Sequence, residues 1–236
     1  MKILVTNDDG VFSEGLKQLA EAACAYGDVV VYAPDKKCSG MSRAITIKGT
    51  LRITPVKISD NFIAYSVSGT PTDCVRVAIN RMPERPDLIL SGINDGYNLG
   101  HDIVYSGTVA AAREGAEAGI RSVAFSQPPK SSFQTAERFF PQIMDRLLSE
   151  EMSDERLINV NFPDCKADEC RGIRWGVRLS TQDLYGDSCI CRVLAGGGWE
   201  LEISSVHSSI SEADCDITTV FDNYISVGYL DFAETN

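Results

Sequence analysis

MKILVTNDDG (1–10) opens on a short apolar run, Ile3 to Val5, and stops at two adjacent carboxylates, Asp8 and Asp9. An unbroken apolar stretch that is closed by Asn, Asp and Gly reads as a strand buried on both faces. Neighbouring acids repel and gain nothing from packing, so their place at a strand end points to a cation or to a watery loop beside them. The same texture repeats outward from this strand. SEGLKQLAEAACAYG (13–27) sets Leu16, Leu19, Ala20 and Ala23 on one helical face, with Ser13 as N-cap and Gly27 as terminator, and DVVVYAP (28–34) is a second strand. A polar loop and a β-rich excursion (44–68) lead to GTPTDCVRVAINRM (69–82), a helix with Thr70 as cap and Pro71 in its first turn. DLILSGIN (87–94), SGTVAAAREGAEAG (106–119), RSVAFS (121–126) and FQTAERFFPQIMDRLLSE (133–150) continue the alternation, and Pro141 predicts a kink or a split in the last. Apolar strands separated by helices imply a parallel sheet covered on both faces.

Beyond LINVNFP (157–163) the segments become short and rich in turns. This places an α/β/α core in residues 1–163 and a β-rich C-terminal extension in 164–236. In the extension, CRVLAGGGWELEI (191–203) reads as a hairpin about its glycine turn, and such an arm is a means of pairing with a second subunit.

Composition narrows the function classes. With 44% apolar and 23% charged residues among 236, the chain matches ordinary globular proteins and not disordered ones. No apolar run approaches the ~18 residues of a membrane span, and the first ten residues lack the core of a secretory signal, which predicts a cytoplasmic protein. A net charge of −11 argues against a broad nucleic-acid surface but leaves room for a small phosphorylated substrate. The eight cysteines are scattered; Cys165, Cys170, Cys189 and Cys191 are the best zinc set, and their spacing departs from paired two-residue motifs.

In an open parallel sheet, ligands bind where strands hand over to helices. That rule brings together TNDDG, APDKKCSG and SGINDGYNLGHDIVYSGT. Asp8, Asp9, Ser39 and Asn94 then offer carboxylate, hydroxyl and amide oxygens without thiolate or imidazole, a set suited to Mg²⁺ or Mn²⁺. Taken singly, each also reads as ordinary turn chemistry. Ser106, Gly107 and Thr108 precede an alanine-rich helix, and such a small, hydroxyl-bearing N-terminus presents free N–H groups to a phosphate or simply caps the helix. Neither GxGxxG after the first strand nor GxxxxGK[ST] occurs, which disfavours dinucleotide and P-loop chemistry.

TNDDG, APDKKCSGMSRAIT, VSGTPTDCV, SGINDGYNLGHDIVYSGTVAAAREG and INVNFP, in this order, resemble the SurE family of stationary-phase survival nucleotidases, over most of residues 1–163. The resemblance implies a three-layer α/β/α fold around a mostly parallel, Rossmann-like sheet, and a metal-dependent phosphomonoesterase acting on 5′- and 3′-nucleotides, and in some members on short polyphosphate. It implies one divalent cation per subunit, Mg²⁺ or Mn²⁺, held by Asp8, Asp9, Ser39 and Asn94. Phosphate contacts fall on Asn98, Ser106, Gly107 and Thr108, with Asn7 in the first loop, and homodimers or homotetramers form through exchanged C-terminal arms. Cys38 stands where the family often has Arg, and residues 178–236 keep little of the family pattern beyond DCDITTVFDNYISVGYL.

On this reading a water attacks phosphorus in line, with Asp8 or Asp9 positioning or deprotonating it, and a covalent aspartyl-phosphate on Asp8 is the second route. His101, in the glycine-asparagine loop, is either a proton donor to the leaving alkoxide or a surface histidine; His207 has no chemical context. The rival classes are a metal-dependent nucleotide-sugar enzyme and a non-catalytic nucleotide sensor.

Overall fold

The computed structural model describes residues 1–149 and 157–230, apart from the side chains of Asp187, Ser205 and His207. The strand read from the first residues is β1 (Lys2–Thr6), and it lies in the middle of a nine-stranded sheet. Around it lie β2 (Asp28–Pro34), β3 (Ile53–Val56), β4 (Ile63–Val67), β5 (Leu88–Asp95), β6 (Arg121–Gln127), β7 (Leu157–Asn161), β8 (Ile173–Trp175) and β11 (Ile225–Leu230), in the order β3-β4-β2-β1-β5-β6-β7-β11-β8. The six central strands β4 to β7 run parallel, as expected from strands that alternate with helices. Among the described residues, the antiparallel pairs of this sheet are β3 with β4 and β7 with β11.

Side-chain alternation along β1 decides which helix covers which face. Ile3 and Val5 point to one face, where they pack with Leu16 and Leu19 of α1 (Glu14–Ala23) and with Phe140, Ile143 and Met144 of α4 (Gln134–Ser149). Leu4 points to the other face, against Cys74, Val75 and Ala78 of α2 (Pro71–Arg81) and Ala111 of α3 (Gly107–Glu117). All three β1 residues are fully buried, so the strand has no polar face and the architecture is the three-layer α/β/α sandwich.

Helix boundaries follow local chemistry. Ser13 caps α1 by accepting the Leu16 N–H, and Thr70 and Asp73 form a reciprocal capping box at the start of α2. α1 stops at Ala23, short of Gly27, whose own role is close approach: a Cβ there would lie 2.2 Å from the Met1 carbonyl oxygen. The split expected at Pro141 does not occur. α4 runs through it as one helix to Ser149, held to the sheet by the buried row Phe140, Ile143, Met144 and Leu147 on either side of the missing N–H. Glu150, the last residue of the expected helix, is outside the described residues.

Residues 164–230 do not form a separate body. β8 and β11 complete the far edge of the main sheet, and α5 (Asp216–Phe221) leads into β11. Of the described strands, β9 (Tyr185–Val193) and β10 (Trp199–His207) leave it, as an antiparallel hairpin turned by Gly196, Gly197 and Gly198, all at positive φ. The hairpin exposes Ile190, Val193, Trp199, Leu201 and Ile203. No described helix is long and apolar enough to cross a membrane.

Candidate active site

The three loops that leave β1, β2 and β5 meet at one rim of the sheet. The Val11 N–H donates to the Pro34 carbonyl and the Cys38 N–H to the Asp8 carbonyl at 2.7 Å, which joins the first loop to the second. The Asp95 N–H donates to Asp9 Oδ2 at 3.0 Å, which joins the first to the third.

Asp8 is at the centre. The residue is 3% exposed and packs against the N-terminus of α3, where a Cβ on Gly107 would lie 2.8 Å from the Asp8 Cβ. No residue with a side chain fits there, so the helix end and its unpaired N–H groups are brought against the acid by glycine. The Thr108 hydroxyl donates to Asp8 Oδ1 at 2.6 Å and lies 3.5 Å from Asn94 Oδ1. Asn94 donates its own amide N–H to the Gly96 carbonyl, which leaves Oδ1 turned toward that hydroxyl. Asp8, Asn94 and Thr108 are therefore gathered from the ends of β1, β5 and α3.

Burial pushes the Asp8 carboxyl up to about 6; the Thr108 hydrogen bond opposes this shift, and the neighbouring Asp9 charge adds to it. Asp9 pairs with Lys37, whose ammonium lies 2.9 Å from its Oδ1. That hydrogen bond to Asp9 in turn raises the Lys37 pKa above the ordinary amine value.

The other expected residues divide by what their side chains do. Ser106 caps α3 by accepting the Val109 N–H, which fixes the geometry of the helix end. Asn98 is buried, with its amide N–H on Ser126 Oγ at 2.7 Å and its backbone carbonyl accepting from both Asn159 and Asn161. Asn7 closes its own turn: its side chain bonds both backbone groups of Gly10 and the Ser13 hydroxyl, so it braces the Asp8–Asp9 loop from behind. Ser39 follows Cys38 into the rim but is exposed, and no hydrogen bond among the described residues joins it to Asp8, Asp9 or Asn94.

Lys37, Ser126, Asn159 and Asn161 join the site without having been expected there. KK in APDKKCSG and the alternating asparagines of INVNFP are the signals that mark three of them. Among the described residues no three of His, Cys, Asp and Glu converge on one point, and Cys189 and Cys191 lie on the hairpin, away from Cys165 and Cys170. A cavity of about 520 Å³ lies along Val109, Ala110 and Arg113 on another face of α3 and includes none of the acids.

The family model described as Survival protein SurE matches residues 3–184, from the first strand to the root of the hairpin. The chain belongs to the SurE family. It is 44% identical to the 5′-nucleotidase SurE of Aeromonas hydrophila over 178 residues, 74% of this chain and 70% of that protein. It is 42% identical to the 5′-nucleotidase SurE of Clostridium botulinum over 179 residues, 74% of this chain and 71% of that one. The crystal structure of the SurE protein from Aquifex aeolicus superposes with a TM-score of 0.85 at 34% identity, covering all of this chain and 95% of the other. The match to the family model thus includes every loop of the rim and stops where the hairpin begins.

Proposed function

We propose that this chain is a nucleotidase that hydrolyses nucleoside 5′- and 3′-monophosphates, and short polyphosphate, with a divalent cation, Mg²⁺ or Mn²⁺, at the rim. The observation that carries this reading is the meeting of Asp8, Asn94 and Thr108 at the N-terminus of α3, with Gly107 packed on the acid. The names of the related proteins support the same substrate class.

The donor set fits a hard cation. Asp8, Asp9, Asn94 and Ser39 offer only oxygen, and Asp8 is a buried carboxylate with another acid beside it, the kind of charge a cation stabilises. When bound, the cation supplies Lewis-acid stabilisation of charge on the phosphoryl oxygens.

The remaining steps belong to the chain's own groups. The N–H groups of Gly107 and Thr108, at the positive end of α3, hold the phosphoryl oxygens. Asp8 orients a water in line with phosphorus and takes its proton. As the ester bond breaks, the nucleoside oxygen leaves with the bonding pair and takes a proton from solvent, while the same N–H groups meet the charge spread over the phosphoryl oxygens without rearrangement.

The exposed apolar side chains of the hairpin support a homodimer or homotetramer, and a reducing cytoplasm suits the eight unpaired thiols. The test is phosphate release from 5′-AMP with Mn²⁺ or Mg²⁺, abolished by chelator and by Asp8→Asn. A later melting point with AMP but no phosphate release selects the sensor reading. Turnover of a nucleotide-sugar with AMP untouched selects the nucleotide-sugar enzyme.

A further inference from the structure

Between Asn98 and Ser106 the chain must cross from the buried asparagine network to the start of α3, and it does so through Gly100 and the 3-10 turn His101–Tyr105. This crossing is gripped by the segment that becomes the hairpin. Asp102 Oδ2 accepts the N–H of Leu184 at 2.8 Å and that of Tyr185 at 3.1 Å, the two residues at the root of β9. Gly100 forms an isolated antiparallel bridge with Asp183 and donates its N–H to Asp216 Oδ2 at 2.8 Å. Asp216 also accepts the Ser180 N–H at 2.8 Å through Oδ1. Leu184 is fully buried among Tyr97, Leu99, Ile217 and Val220, so the root cannot shift without moving the loop that leads to the turn.

We propose that Asp102 is a positioning residue: its carboxylate locks the 3-10 turn to the hairpin root, and this lock sets where Ser106 and Gly107 present the N-terminus of α3. The turn has no fully buried residue and meets the core through half-buried Ile103 alone, so packing by itself anchors it at one point. It has backbone bonds at its ends and Asp102 within it. The proposal rests on the phosphate cradle read above, and it extends that reading to a residue that touches neither substrate nor cation. It also makes the hairpin, which lies beyond the matched family segment, a determinant of the site.

Both bonds of Asp102 go to one oxygen, which makes the proposal testable. An amide oxygen in the same place accepts both N–H groups, so Asp102→Asn keeps the lock while losing the charge; Asp102→Ala and the milder Asp102→Ser lose the lock. Displacement of a binding group by about 1 Å costs on the order of 100-fold. The expected result with the full chain, Mn²⁺ and 5′-AMP is a fall of roughly 10- to 100-fold in kcat/KM for Asp102→Ala and Asp102→Ser. Asp102→Asn should stay within about threefold of the wild type.

Glu212→Ala is the structural control. Glu212 holds Ser180, Thr181 and Arg178 and makes no hydrogen bond to the turn among the described residues, so its loss should lower the melting temperature and leave kcat/KM within about threefold. Calorimetric binding of inorganic phosphate in the presence of Mn²⁺ should follow the same order of variants as the rates. A wild-type chain that binds phosphate but releases none from AMP overturns the nucleotidase reading, while the binding series still decides the role of Asp102. Equal losses in Asp102→Asn and Asp102→Ala, full activity in Asp102→Ser, or absence of phosphate binding in the wild type overturns the positioning role.

Discussion

Replacing Asp8 by Asn should abolish turnover and, in the cation-free protein, raise stability. Burial lifts the Asp8 carboxyl from 3.8 to about 6 in the folded chain. The folded state therefore holds this proton more tightly than the unfolded state. A group shifted upward contributes its full stability below its unfolded pKa and loses it as pH rises through the folded value. At pH 8 the whole shift, roughly two units at 1.36 kcal/mol each, amounts to about 3 kcal/mol of lost stability. At pH 4 most of the folded and much of the unfolded carboxyl is protonated, and the same linkage leaves less than about 1 kcal/mol. The amide introduced by Asp8→Asn keeps an oxygen for the Thr108 hydroxyl and carries no charge, so the variant recovers most of the loss. For a chain of this length, 1 kcal/mol moves Tm by about 2–4 °C, which predicts a rise of roughly 6–12 °C at pH 8 in chelator. The assay is a thermal melt of wild type and variant at pH 4 and pH 8 in chelator, then with Mn²⁺, which should raise the wild type more than the variant. A variant less stable than wild type at pH 8, or an equal offset at both pH values, refutes the reasoning.

Thr108→Val removes the hydroxyl shared between Asp8 and Asn94. That hydroxyl stabilises the ionised acid, so the acid limb of the pH–rate profile should move to higher pH and the fold should lose about 1–3 kcal/mol, read by denaturant titration. Lys37→Met frees Asp9 from an ammonium 2.9 Å away; the Mn²⁺ concentration that half-saturates activity should fall severalfold, and a rise would show that Lys37 does not compete with the cation. Ile203→Asp on the outer hairpin should reduce the mass measured by light scattering while leaving the monomer folded, and an unchanged mass would remove the hairpin from the assembly.

β1, β2 and the first half of β5 are legible in the sequence because each carries an unbroken apolar run, and DVVVYAP coincides with β2. The rim is legible for a related reason: once the strands are parallel, their exit loops share an edge, and TNDDG, APDKKCSG and SGINDG meet there through the backbone bonds of Cys38 and Asp95. What periodicity does not carry is strand order. Nothing in INVNFP or DNYISVGYL says that β11 pairs antiparallel with β7 and parallel with β8, because that choice depends on the path of the intervening chain. Residues 164–230 therefore read as an appendage although part of them is sheet.

The same limit separates the site residues into those that chemistry names and those that only packing names. Asp8 and Asn94 stand out by type and loop position, and the structure brings both to Thr108. Asn7 stands out equally, yet its amide is occupied by Gly10 and Ser13. Asn159 and Asn161 are strand residues by pattern, but they reach across to hold the Asn98 carbonyl. A polar side chain at a strand end can face the rim, brace the loop or hold a neighbouring loop, and its type is the same in all three cases. Asp102 belongs to the third case. Its carboxylate looks like a ligand in the sequence, and its two backbone N–H partners assign it to holding the turn. Substitutions that keep an oxygen while removing charge separate these roles: they should be harmless at Asp102, where two N–H groups need an acceptor, and fatal at Asp8, where the proposed reaction needs a base.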